Sequence, residues 1–91
     1  MPDPDQFRAQ FPVFEHTAYL NAGTEGPVPR RAAEAVHERI ELELQDGRCG
    51  RRYFEEVIEL ATKLRAGYAK VLGCGPAEVA LTGSTTDGVN T

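Results

Sequence analysis

Apolar and polar positions along the chain fall into two helical periods and one short apolar run. From Tyr53 to Leu72, the residues Phe54, Val57, Ile58, Ala61, Leu64, Tyr68, Val71 and Leu72 recur at the three- and four-residue spacing of one helical face. Gly73 stands at the C′ position, where a helix usually ends. A second period, Ala33, Val36, Ile40 and Leu44, predicts a helix from Pro29 to about Gln45. Arg31, Glu34, Glu38 and Glu41 fall on its opposite, solvated face. Pro29 suits the first turn because its missing N–H is no loss there, and Asp46-Gly47 ends the helix. Val79 to Thr82 differs from both. It is β-branched and apolar, is launched by the turn Gly75-Pro76-Ala77-Glu78, and reads as a strand covered on both faces, as in a parallel sheet.

The remaining stretches are shorter. Asp5 to Gln10 predicts a brief helix, with Phe7 and Phe11 four apart, Asp3 or Asp5 as its cap and Pro12 as its stop. Ala18-Tyr19-Leu20 reads as extended. Asn21 to Pro27 holds two glycines and a proline, which makes it a loop whose small residues allow close approach of a ligand or a partner subunit. Arg48 to Arg52 is a polar, Gly-punctuated link with three arginines.

Composition narrows the function classes. The chain has 91 residues, a formal net charge of −4 and 41% hydrophobic residues, enough for one small unit. The acidic balance argues against a nucleic-acid partner, which asks for a basic face. No apolar run approaches the roughly 20 residues that span a bilayer. Met1-Pro2-Asp3-Pro4-Asp5 carries acid where a signal peptide carries basic residues, so a cytoplasmic protein is expected. Cys49, Cys74, His16 and His37 show no CxxC pair and no metal-ligand spacing, and they are assigned no chemistry. Lys63 and Lys70 lie in the second long helix and read as ordinary exposed lysines.

Candidate chemistry sits at the end of the apolar run. Gly83 permits a sharp turn, Ser84-Thr85-Thr86 supplies three hydroxyls in a row, and Ser84 and Asp87 stand at capping-box spacing for a new helix. The first N–H groups of a helix lack partners within it, and the dipole is positive there, so this corner suits a phosphate. Two readings stand side by side: a phosphate cradle, or an N-cap and nothing more. The stretch matches neither the Walker loop nor the G-x-G-x-x-G dinucleotide spacing.

One feature of the pattern bears on the whole chain. A lone strand has nothing of comparable length to pair with, and the helix begun at Ser84 is short. Ordering the 91 residues costs on the order of 100 kcal/mol in conformational entropy, which two helices and an orphan strand are not expected to repay. The sequence therefore predicts an N-terminal piece of a larger α/β protein.

Two motifs give that expectation a family. Tyr19-Leu20-Asn21-Ala22-Gly23 with Gly26-Pro27-Val28-Pro29 is similar to the entry segment of class V aminotransferase-type pyridoxal-phosphate enzymes. Leu81-Thr82-Gly83-Ser84-Thr85-Thr86-Asp87-Gly88-Val89-Asn90 resembles that family's phosphate-cradling turn. The family includes cysteine desulfurases, selenocysteine lyases, kynureninases and isopenicillin-epimerase-like proteins. The resemblance runs from Phe11 onward. It implies an α/β fold, as the N-terminal segment of a fold-type-I pyridoxal-phosphate-dependent transferase, with residues 1–28 as arm and entry loop. Residues 29–91 would then hold two helices, a strand of the large-domain sheet and the phosphate turn.

The resemblance also implies site residues. Thr85 and Thr86 match the pair that holds the phosphate of pyridoxal 5′-phosphate, and Ser84 is adjacent. Asn90 matches a position that ties down the turn, and Asn21 to Thr24 match a loop near the substrate and the dimer interface. The Schiff-base lysine, the aspartate facing the pyridine nitrogen, the ring-stacking residue and the desulfurase cysteine are expected beyond Thr91. Within this chain no residue matches a catalytic role. The expected function is the phosphate anchor of a homodimeric enzyme acting on an amino acid or a sulfur-containing amino acid, by desulfurase, lyase, epimerase or transaminase chemistry. The alternative is a non-catalytic helical segment that docks onto a partner, with the Ser/Thr cluster as a cap alone.

Overall fold

The computed structural model describes residues 2–91, and among them every regular element is helical. In chain order these are α1 (Pro4–Ala9), a 3-10 turn (Pro12–Glu15), α2 (Arg30–Asp46), α3 (Gly50–Leu72), a second 3-10 turn (Pro76–Glu78) and α4 (Thr85–Asn90). They divide into two units, Met1–Gly47 and Arg48–Thr91.

In the first unit, α1 starts where its sequence signals it. The Asp3 carboxylate accepts the Asp5 N–H at 3.1 Å, and Pro4 occupies the first turn without wasting a donor. Phe7, Phe11 and Phe14 then pack in succession, the first pair edge-to-face and the second tilted, with centroids 5.3 and 5.4 Å apart. Arg8 lies over the Phe14 ring at 5.2 Å. Helix α2 covers its predicted range, with Pro29 one residue outside it as N-cap, but Val36, Ile40 and Leu44 of its expected apolar face are more than half exposed among the described residues. Pro29 has no side-chain acceptor for the first turn, so the N–H groups there need partners from elsewhere. Gln10 supplies them: its carbonyl accepts the Arg30 N–H at 2.7 Å and its side-chain Oε1 accepts the Arg31 N–H at 3.3 Å. A residue 21 positions away thus caps α2.

In the second unit α3 begins at Gly50, three residues before the periodicity predicts. Arg51 pairs with Glu55 at 2.6 Å and Arg52 with Glu56 at 2.8 Å, one turn on, so the arginine-rich link is drawn into the helix. Its end is as predicted. Gly73 takes the left-handed conformation, φ 71°, and the Gly73 and Cys74 N–H groups both reach back to the Ala69 carbonyl. The Pro76–Glu78 turn packs against α3 and is closed by the Glu78 carboxylate, which accepts the Gly75 N–H at 2.7 Å. Ala69, 2% exposed, is the buried hydrophobic residue of the described chain.

The expected α/β class is corrected here. Residues 79–82 form no strand, and the described residues contain no sheet. Val79 does adopt extended backbone, φ −110° and ψ 120°, so the local preference is met at that residue. A strand also needs a neighbour to receive its N–H and C=O groups. None of the described residues offers one, and Ala18-Tyr19-Leu20 is likewise irregular. The apolar stripe of α3 is also largely open among the described residues, with Phe54 62%, Leu64 52% and Tyr68 53% exposed.

Candidate functional site

The turn that joins Thr82 to α4 is built by three side chains that bond to its own backbone. Ser84 is the N-cap of α4, in extended conformation, and its hydroxyl accepts the Asp87 N–H at 3.1 Å. Asp87 reaches back in turn, but past the cap: its Oδ2 accepts the Gly83 N–H at 3.0 Å. Sequence spacing foresaw this pair. A capping box normally ends on the N-cap residue's own N–H, and the displacement by one residue leaves the Ser84 N–H open. The Thr82 hydroxyl donates to the Ser84 carbonyl at 3.3 Å. Gly88 sits against Thr82, where an added Cβ would come within 3.3 Å of Oγ1.

These bonds sort the predicted site residues. Ser84 spends its acceptor on the cap. Thr85 and Thr86 are the first two residues of α4, both exposed. Their N–H groups and hydroxyls have no hydrogen-bond partner among the described residues. With the Ser84 N–H they form three consecutive open backbone donors flanked by two free hydroxyls. That donor set fits a phosphate, which accepts from N–H and O–H alike. Charge works in the other direction. Asp87 is the one ionisable residue between Val79 and Thr91, and its carboxylate lies in the same turn. A phosphate bound here would need a cation supplied from outside this stretch.

Other candidate positions fall elsewhere. Asn90, expected to tie down the turn, makes no side-chain hydrogen bond among the described residues; the tie comes from Thr91, whose hydroxyl donates to the Asp87 carbonyl at 2.7 Å. The Asn21–Thr24 loop is closed by two N–H groups, of Thr24 and Glu25, on the Asn21 carbonyl. The Tyr19 hydroxyl braces it by donating to the Glu25 carbonyl at 2.6 Å. Sequence reading missed this Tyr19 brace, for which no spacing rule exists. Lys63 pairs with Glu59 at 2.8 Å on the exposed side of α3. Cys49 and Cys74 are free thiols, and no cluster of His, Cys, Asp and Glu able to hold a metal occurs among the described residues.

The chain matches no known family model, no curated protein and no solved structure. Among the described residues, no helix is long and apolar enough to cross a membrane.

Proposed function

We propose that this chain contributes the cofactor-phosphate anchor of a pyridoxal-phosphate-dependent enzyme of the class V aminotransferase type. Its substrate would be an amino acid or a sulfur-containing amino acid, and the enzyme a cytoplasmic homodimer. Thr85 and Thr86 hold the phosphate through their N–H and hydroxyl groups, and Ser84 orders the turn while offering its own N–H. The observation that carries this reading is the set of open donors at Ser84, Thr85 and Thr86, left free while Asp87 takes the Gly83 N–H. When bound, the cofactor supplies an electron sink for carbanion chemistry. The part of this chain is to grip and orient the phosphate end.

A second reading has its own observation. Phe54, Ile58, Leu64, Tyr68 and Val71 of α3 are all more than half exposed, which suits a helix that docks onto a partner through its apolar face. The Ser84–Asp87 pair is then a cap and nothing else.

Pyridoxamine phosphate separates the two. It carries the same phosphate as the aldehyde form but cannot form a Schiff base with Lys63 or Lys70. Titration into the ¹⁵N-labelled chain should move the Ser84, Thr85 and Thr86 amide resonances. Thr86→Val, which keeps the shape and removes the hydroxyl, should weaken binding about tenfold, the equivalent of one charge-assisted hydrogen bond of roughly 1.5 kcal/mol. Resonances that stay in place, or equal affinity for Thr86→Val, would leave the cap reading standing.

A further inference from the structure

We draw no further inference here: the strongest candidate, the apolar face of α3 formed by Phe54, Ile58, Leu64, Tyr68 and Val71, is largely exposed among the described residues, and nothing in the structure shows what covers it.

Discussion

The two units close one end of their long helix in different ways. In residues 4–46 a polar, directional contact closes the open start of α2, with Gln10 accepting through its carbonyl and its amide oxygen. In residues 50–91 the end of α3 is closed sterically: it packs on the Pro76–Glu78 turn, with Ala69 buried at that end of the helix. A directional bond to exposed groups nets about 0.5–1.5 kcal/mol, because water competes for both partners. Close packing tolerates little change of volume, so a single added side chain is felt at once. The first unit should therefore bend gradually under mutation, and the second should fail at one point.

The largest expected effect tests that failure point. Ala69→Leu keeps helix propensity high while forcing three extra carbons into a site 2% exposed, at a cost of about 1–3 kcal/mol. Residue-level hydrogen exchange should show loss of protection at Cys74, Glu78 and Val79, with residues 4–46 unchanged. Unchanged protection at those three amides would show that the α3 end is not packed in solution. Gly73→Ala comes next. Its Cβ would meet nothing within 4 Å, so the whole cost is the left-handed backbone at φ 71°, about 1–2 kcal/mol. Together the pair distinguishes packing from backbone conformation at the same helix end.

Gln10→Ala probes the other unit. It removes the Oε1 acceptor of the Arg31 N–H and keeps the backbone carbonyl that holds Arg30, so about 0.5–1 kcal/mol is expected. The loss should appear as lower Cα helix shifts over the first turn of α2. Gln10→Glu should restore the acceptor and add a charge favourable to the helix start. Equal shifts in all three proteins would mean that water caps α2.

How legible these features were depends on their reach along the chain. The α3 period, the Asp3 cap, the Gly73 terminus and the Ser84–Asp87 pairing all involve residues within a turn or so of one another, and each is visible as a spacing. Gln10 is not, because a cap from 21 residues away leaves no local pattern. The expected strand failed for the reverse reason. Val79 carries the local preference faithfully, but pairing is a property of two segments, and composition of one cannot provide the other. At the candidate site, residue types and spacing gave the donors. The Asp87 carboxylate bonding one residue before the cap, and so leaving the Ser84 N–H open, came only from the geometry.

Leu64→Ala has the smallest expected effect, and it bears most directly on the open face of α3. A fully buried leucine cut to alanine costs about 2–5 kcal/mol, from lost transfer energy and the cavity left behind. Leu64 is 52% exposed, so neither term is fully present: much of its surface already meets water, and no closed cavity can form. Alanine also improves helix propensity slightly, which offsets part of the loss. The expected change in α3 protection is therefore within about 0.5 kcal/mol, as for surface substitutions generally. Ala69→Leu, five residues along the same helix, should cost several times more, although it adds carbon rather than removing it. A loss above about 2 kcal/mol for Leu64→Ala would reverse that order and mean that the apolar face is covered in solution. Repeating the exchange measurement at tenfold lower protein concentration would then decide the source. A cost that shrinks on dilution points to a second copy, because association follows mass action; a cost that persists places the cover within the chain itself.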